Sequence, residues 1–323
     1  MRAPIQLDLH LPDFDLPGTE PDTLFERLVE IARTAEDSGF SSITVMDHLH
    51  QIPGIGPPDH RMLEGNTILA ALAARTNRAS LGLLVGGVTY RNPALAAKIA
   101  TTLDVISGGR AFLGLGAAWF EDEHRAYGYE FPPLRERLDR LGEALQIARA
   151  MFAQPRSSFA GRYYRTADVI NVPQPLRGDL PIVVGGSGER RTLRLVARYA
   201  DGCNVFGDVS RARHLIEVLD GHCEAVGRDP AEITRTRMAS VVIAPTHEDA
   251  MGRLEAAKRA GMSEQRARTQ VLVGDPDEVG EQAEAFRAVG IEGLTISMPD
   301  VHDLEAVALA GRTLGPLFAA TAR

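Results

Sequence analysis

The sequence contains very little cysteine, and this excludes a protein held together by a framework of disulfide bonds. Only two cysteines occur among 323 residues, Cys203 in an apolar stretch and Cys223 in a stretch with helical periodicity. Small domains that depend on disulfides carry many more cysteines at regular spacings. The composition therefore indicates a reduced protein, for which we expect a cytoplasmic location.

Long hydrophobic runs and an excess of positive charge are also missing. No apolar stretch approaches the ~20 residues that cross a bilayer. The first residues, MRAPIQLDLHLPDF, lack the apolar core of a signal peptide. The net charge is −8, whereas binding to nucleic acid requires a basic surface. We therefore expect neither a membrane nor a nucleic acid as a partner.

Strand-like and helix-like segments alternate along the whole chain. The strand-like segments lie at residues 3–9, 42–46, 79–88, 110–116, 180–184, 202–206, 235–243 and 293–297. The helical segments lie at residues 21–38, 64–76, 93–107, 134–152, 189–199, 211–226 and 301–314, with two more helical stretches between the last two strands. Residues 157–172 interrupt the alternation and predict a short inserted hairpin.

Eight strands, each followed by a helix, predict an α/β fold in the form of a (β/α)8 TIM barrel. We expect residues 1–323 to form this barrel as one domain, and an open doubly wound sheet is the alternative. In a barrel the chemistry belongs at the carboxyl ends of the strands. His10, Trp119 and Asn204 fall at or near such strand ends.

The second strand ends in the sequence Asp47-His48-Leu49-His50, for which three interpretations are open. A metal site would need further ligands at other strand ends. Most other histidines fall in or beside helices, as do Lys98 and Lys258, the only lysines, so we expect no metal. The segment could instead be a polar loop in which a histidine caps a helix, or it could carry a catalytic base.

A glycine-rich turn follows the fifth strand and leads directly into a helix. Gly185, Gly186 and Gly188 permit close approach of the backbone, and a helix N-terminus presents unpaired N–H groups. This combination suits a phosphate group, to which Ser187 could add a hydroxyl and Arg190 or Arg191 a positive charge. The structural alternative is a glycine turn in which Ser187 is the N-cap of the helix.

Small residues also follow the fourth strand. They are Gly114, Gly116, Ala117 and Ala118, and Trp119 comes next. Small side chains at a strand end would let a flat ring lie against the backbone. Trp119 could take part in such a site, or it could be packed in the core.

Together these segments resemble the luciferase-like family of flavin and deazaflavin oxidoreductases. The resemblance is carried by VMDHLH after the second strand, NPALAAKIATTLDVISGGRAFLGLG through the fourth strand, PIVVGGSGERRTLRLVARYADGCN, and VLVGDPDEVGEQAEAFRAVGIEGLTIS. It spans nearly the whole chain and is strongest toward the branch that uses coenzyme F420. It implies a bacterial luciferase-like barrel that is often a homodimer.

The resemblance also implies roles for residues around the cofactor ring. It predicts a cis non-proline peptide within Leu84-Val85-Gly86, at Leu84–Val85 or at Val85–Gly86. It implies that the residues from Gly185 to Gly188 bind the cofactor phosphate. The pair Ala117 and Ala118 would lie beside the ring, and Trp119 occupies a position that is acidic in some sugar-phosphate dehydrogenases of the family.

The resemblance implies that Asp47 and His48 lie at the reactive edge of the ring. His48 is the candidate for positioning or protonating the substrate, because histidine exchanges protons near neutral pH. Asp47 would orient or contact the ring. We therefore expect hydride transfer between F420 and a small organic substrate. The alternatives are an FMN-dependent monooxygenase that uses reduced flavin and oxygen, and a flavin-binding barrel without catalysis.

Overall fold

The computed structural model describes residues 4–319. Its strands are β1 (Leu7–Leu11), β2 (Ser42–Val45), β3 (Ser80–Leu83), β4 (Gly86–Gly87), β5 (Leu113–Gly116), β6 (Arg156–Ala160), β7 (Arg165–Ile170), β8 (Ile182–Gly185), β9 (Gly202–Val205), β10 (Thr234–Ile243), β11 (Val271–Gly274) and β12 (Gly293–Ser297). Its α-helices are α1 (Leu24–Ser38), α2 (Gly65–Ala73), α3 (Pro93–Ser107), α4 (Glu121–Tyr127), α5 (Leu134–Ala153), α6 (Thr192–Tyr199), α7 (Val209–Val226), α8 (His247–Arg259), α9 (Glu264–Gln270), α10 (Pro276–Arg287) and α11 (Leu304–Phe318). Within residues 4–319, none of the helices has both the length and the hydropathy needed to cross a bilayer.

Eight strand positions close into a parallel ring. β1 pairs with β2 on one side and with β12 on the other, and the order continues from β12 through β10, β9, β8 and β5. The ring closes where Leu81 of β3 forms a bridge with Ala111, and where β4 pairs with β5. β3 and β4 count as one position, because both lie between β2 and β5. The (β/α)8 barrel predicted from the sequence is confirmed.

The predicted third strand, residues 79–88, is interrupted in its middle. A cis peptide bond joins Leu84 and Val85 between β3 and β4, so this prediction is confirmed at the first of its two positions. Val85 packs between two glycines of the neighbouring strands. A Cβ atom added to Gly116 or to Gly185 would lie 2.7 Å from Val85 Cγ2. The glycines at these strand ends therefore make room for Val85.

The barrel interior is divided into a polar part and an apolar part. On β1, Leu7, Leu9 and Leu11 belong to the main hydrophobic core, and the alternation of side chains turns Asp8 and His10 to the other face. Neighbouring strands add further buried polar side chains, namely Ser42, Thr44, Asn204, Thr236, Ser240, Thr295 and Ser297. The rest of the interior holds a small apolar cluster of Ile5, Leu84, Phe112 and Val183. Barrel interiors are usually filled by branched apolar residues, so the polar part indicates a functional demand.

Local signals in the sequence determine where the helices begin and end. The Asn92 side chain accepts a hydrogen bond from the Ala94 N–H at the start of α3, and the helix ends at Gly108 in the left-handed conformation. α10 begins with a complete capping box between Asp275 and Glu278. The predicted bounds of α3, residues 93–107, are confirmed.

Several predicted boundaries were wrong. α6 begins at Thr192 and not at residue 189, because residues 189–191 form a turn. The short helix α4 was not predicted. Between β10 and β12 there are three helices and the strand β11, which extends the sheet beside β10, where only two helical stretches were predicted. The first strand spans Leu7–Leu11 and not residues 3–9, and residue 3 lies outside the described residues. The inserted hairpin is confirmed as the antiparallel pair β6 and β7.

We expect Gly114→Ala to destabilise the fold by about 3 kcal/mol, because rigid backbone occupies the space that the new methyl group needs. A Cβ atom at this position would lie 1.9 Å from the Leu83 carbonyl oxygen. Gly221→Ala in α7 is the matched control, since no atom lies within 4 Å of its added Cβ. Removing a glycine from a helix interior stabilises by up to ~1 kcal/mol. Urea denaturation of both variants checks this, and equal stabilities would contradict the packing described.

Candidate active site

A cavity of about 790 Å³ opens at the carboxyl ends of the barrel strands. It brings together all but one of the residues predicted to bind the cofactor: Asp47, His48, Leu84, Val85, Ala117, Ala118, Trp119, Gly185, Gly186, Ser187 and Gly188. His10 and Asn204 also line it, whereas His50 does not. The volume lies within the range of ~300–1,000 Å³ that is usual for cofactor and small-molecule sites.

Gly86 is the one predicted residue that does not line the cavity. It is buried and pairs with Leu115 of β5. A Cβ atom added to it would point toward the Gly114 carbonyl oxygen, at 3.0 Å. Gly87 lines the cavity in its place, because successive strand residues face opposite sides of the sheet.

Glu123 is the central carboxylate of the site, although the sequence did not single it out. It lies in α4 and is completely buried. Its Oε2 atom accepts hydrogen bonds from His48 Nδ1 at 2.9 Å and from the Tyr90 hydroxyl. Its Oε1 atom accepts from the backbone N–H groups of Leu49 and His50. Three consecutive acidic residues start this helix, and only contact geometry distinguishes Glu123 from the other two.

These hydrogen bonds keep Glu123 ionised. Burial by itself would raise the pKa of its carboxyl group, but the hydrogen bonds from His48, Tyr90 and Leu49 outweigh that effect and lower the pKa to about 2. An ionised carboxylate can only accept hydrogen bonds, so Nδ1 of His48 carries a proton. Its Nε2 atom is then free to accept a proton or a hydrogen bond.

Asp47 is held at the cavity wall by two donors. Its Oδ2 atom accepts from the Gly87 N–H at 2.9 Å and from Arg91 Nη1 at 2.7 Å. Arg91 in turn donates to Glu64 at 2.7 Å. Burial raises the pKa of Asp47, and the contact with Arg91 opposes that rise. The ion pair with Arg91 therefore fixes the position of this carboxyl group.

Trp119 is not a core residue, which was the structural alternative for it. Its side chain is 57% exposed. It stacks on Phe120 with ring centroids 5.2 Å apart and meets His48 edge-on at 5.7 Å. The His50 ring also packs against Phe120, with ring centroids 5.2 Å apart. The indole therefore covers one side of His48 at the cavity opening.

The glycine-rich turn differs in detail from the predicted phosphate site. The Gly186 N–H already donates to the Asn204 carbonyl oxygen at 3.0 Å, so it is not available to a ligand. The Ser187 hydroxyl accepts from the Phe206 N–H at 3.0 Å and is not the N-cap of α6. Among residues 4–319, the N–H groups of Ser187 and Gly188 have no acceptor. These two N–H groups belong to residues that line the cavity, so they are available to a ligand there.

The predicted cationic contact from Arg191 is directed away from this turn. Arg191 forms an ion pair with Asp139 of α5 and also donates to the Arg135 carbonyl oxygen at 3.0 Å. This fixes the start of α6 against α5. The turn therefore offers backbone N–H donors to a ligand, whereas the Arg191 side chain lies on the neighbouring surface.

A buried chain of hydrogen bonds determines the state of His10. The Thr44 hydroxyl donates to Asp8 Oδ2 at 2.6 Å, so its oxygen accepts from His10 Nδ1 at 2.8 Å. Burial, assisted by His48, lowers the pKa of His10 to about 3, and burial raises the pKa of Asp8 to about 6. His10 is therefore neutral, with its proton on Nδ1 and an acceptor at Nε2.

No group of three histidine, cysteine, aspartate or glutamate side chains is arranged to hold a metal ion in the part of the chain that the structure describes. The histidines near the cavity have other partners. His48 contacts Glu123 and His10 contacts Thr44.

The neutral state of His10 generates a prediction about stability and pH. The unfolded chain protonates this histidine below ~6.5, whereas the folded protein does so only near 3. The unfolded state binds more protons between these values, so this group removes stability as the pH falls from 6.5 towards 3. Asp8 acts in the opposite direction between about pH 6 and 4, because its folded pKa is the higher one.

Replacing His10 removes the loss of stability that arises when this histidine is protonated in the unfolded chain. It leaves the opposite effect of Asp8 in place. We expect His10→Asn to gain about 2 kcal/mol relative to the wild type when the pH is lowered from 7 to 5. Urea denaturation of both proteins at the two pH values measures this difference. A stability difference that does not change with pH would show that folding does not lower the pKa of His10.

Comparison with known proteins agrees with this geometry. A family model described as luciferase-like monooxygenase matches residues 10–293. An F420-dependent glucose-6-phosphate dehydrogenase from Nocardia farcinica is 30% identical over 91% of this chain and 94% of that protein. Sequence similarity therefore extends along nearly the entire barrel.

Solved structures share the fold at lower identity. An F420-dependent secondary alcohol dehydrogenase, solved with an F420–acetone adduct, has a TM-score of 0.81 and 19% identity and covers 99% of this chain and 100% of its own. A monooxygenase from Streptomyces bottropensis has a TM-score of 0.79 and 22% identity, with coverage of 99% and 100%. The family match and the relative in Nocardia show that the chain belongs to the luciferase-like monooxygenase family.

Proposed function

We propose that the protein is an oxidoreductase that transfers a hydride between coenzyme F420 and a small organic substrate. The observation that carries the proposal is one cavity lined by His48, whose Nδ1 atom donates to the buried Glu123, and by Ser187 and Gly188, whose N–H groups have no acceptor among residues 4–319. A proton-handling group and a phosphate-binding turn are what such a reaction requires of the protein.

The residues present fit this cofactor. Two unpaired backbone N–H groups at a glycine turn suit a phosphate. The glycine backbone beside the cavity and the small side chains of Ala117 and Ala118 leave space for a flat ring next to Val85. Bound F420 would supply a deazaflavin carbon that accepts or releases a hydride.

The protein's own residues would position the substrate and manage one proton. Glu123 holds the His48 ring by Nδ1, so Nε2 is the atom that can take a proton from a substrate hydroxyl or return one. Asp47, fixed by Arg91, contributes a carboxylate edge to the cavity wall. His10 adds a neutral acceptor, and Trp119 limits access of water from one side. His48 is the proposed catalytic residue.

An FMN-dependent monooxygenase is the second candidate, because a monooxygenase shares the fold along the full chain. FMN would use the same phosphate turn. The two functions differ in cofactor affinity and in the need for oxygen, so titration with each cofactor separates them. Tight F420 binding with weak FMN binding is the result expected here.

We further propose a homodimer, formed through an apolar surface on α3 and the end of the hairpin. Leu95 and Ile106 of α3 are about half exposed, as is Ile170 of β7, and Val172 is 60% exposed. Lys98 of α3 donates to the Val172 carbonyl oxygen at 2.7 Å, so this helix and the hairpin form one continuous surface. Exposed apolar patches of this kind mark protein interfaces.

Sedimentation of wild type and of a Val172→Asp variant tests the dimer. We expect the charged side chain to shift the protein from dimer to monomer at micromolar concentration, because an unpaired charge is costly in an apolar interface. Val226→Asp, at an exposed valine at the end of α7, is the matched control. A wild-type monomer would contradict the proposal.

The role of His48 is tested by turnover. We expect His48→Ala to lower kcat by ~10²–10⁴-fold, the usual contribution of a general acid or base. F420 affinity should change much less, since the proposed phosphate and ring contacts involve other residues. A panel of oxidisable alcohols and F420-reducible enones provides substrates. His214→Ala, at a half-exposed histidine, is the control and should keep wild-type activity.

Glu123→Gln distinguishes catalysis from packing. A glutamine cannot hold the Nδ1 proton as a carboxylate does, so the pH profile of kcat should shift while substrate KM stays similar.

A His48→Ala enzyme with wild-type turnover on an accepted substrate would show that this histidine is structural.

A further inference from the structure

A second depression of about 570 Å³ lies beside the cavity, between the starts of α5 and α6. Its lining consists of Leu134, Arg135, Leu138, Asp139, Arg191 and Arg194. Leu134 and Leu138 also line the main cavity. The two spaces therefore share a wall of leucine side chains, and a ligand can continue from one into the other.

The depression carries an excess of positive charge. Three arginines line it against one carboxylate, Asp139, and that carboxylate is paired with Arg191. The guanidinium groups of Arg135 and Arg194 have no acidic partner among residues 4–319. Two uncompensated cations thus face the same space, which favours a ligand with more than one negative group.

The depression begins where the glycine-rich turn, Gly185 to Gly188, ends. Gly188 and Thr192 line the main cavity, and Arg191, between them, lines the depression. A ligand whose phosphate accepts hydrogen bonds from the Ser187 and Gly188 N–H groups would leave the cavity at this point. Any part of it beyond the phosphate would pass Leu138 and reach the arginines.

F420 and FMN differ in the part of the molecule that follows the phosphate. FMN ends at a terminal phosphate. In F420 the phosphate is an ester that continues through a lactyl unit into a chain of γ-linked glutamates, each with a carboxylate. Arginine binds carboxylates in a bidentate geometry and is the usual residue for this purpose.

We infer that the depression formed by Arg135, Arg191 and Arg194 binds the glutamate tail of F420. The inference rests on the proposed function, because it concerns the same cofactor. Contacts between these arginines and the tail, and not contacts with the ring, would then make the protein bind F420 in preference to FMN. Arg135 and Arg194 are exposed, so each ion pair between one of them and a tail carboxylate contributes modestly and depends on salt.

Equilibrium titrations that follow F420 fluorescence test this inference. The probes are F420 with several glutamates, the same compound after enzymatic removal of its glutamates, and FMN. The proteins are wild type, the Arg135→Gln/Arg194→Gln double variant and Arg198→Gln. Arg198 is the matched control, since it is exposed one turn further along α6 and does not line the depression.

We expect the double variant to bind full-length F420 roughly tenfold more weakly than wild type does. Its affinity for the tail-less compound and for FMN should be unchanged, and Arg198→Gln should match wild type. The difference for full-length F420 should shrink at 0.5 M salt, because the contacts are electrostatic.

Three results would overturn the inference, and they differ in what they say about the proposed function. Wild-type protein that binds full-length and tail-less F420 equally well would refute the tail site and leave F420 as the cofactor. Wild-type protein that binds neither form, but binds FMN, would refute both. A double variant that loses the same affinity for all three compounds would show that the arginines maintain the cavity and do not bind the tail.

Discussion

The site depends on one buried carboxylate and the hydrogen bonds that keep it charged. An ionised glutamate inside a protein is unfavourable unless several donors surround it. Glu123 satisfies this condition by accepting from His48, Leu49, His50 and Tyr90. These donors follow two different barrel strands, and Glu123 follows a third. Its burial therefore joins three loops and fixes the orientation of the histidine that faces the cavity.

The barrel suits a ligand that has both apolar and polar parts, because its interior is divided into an apolar side and a polar side. Glycines on β5 and β8 let Val85 enter the barrel, and the opposite strands supply hydroxyl, amide and imidazole groups. One such group, the Thr44 hydroxyl, connects Asp8 with His10 and so determines which nitrogen of His10 carries the proton. The cavity thus has an apolar side and a polar side before any ligand enters, which reduces the reorganisation that binding and reaction require.

The sequence predicted features that depend on local signals and on strand ends. It located Asp47 and His48 and the fold that brings them to the cavity, because parallel strands end at one edge. It did not identify Glu123, whose acidic neighbours have the same local pattern. It chose Gly86 and not Gly87, because the interrupted third strand changes which residue faces inward. The occupied Gly186 N–H could not be predicted either, since its partner lies on another strand.

We propose that this cavity binds F420 with its ring beside Val85 and its phosphate at the glycine turn. A crystal structure of the protein with F420 tests it most directly. We expect the phosphate to lie within hydrogen-bonding distance of the Ser187 and Gly188 N–H groups, and the reactive face of the ring to be directed toward His48. A phosphate bound elsewhere, or a ring whose reactive carbon is remote from His48, would contradict this mode of binding.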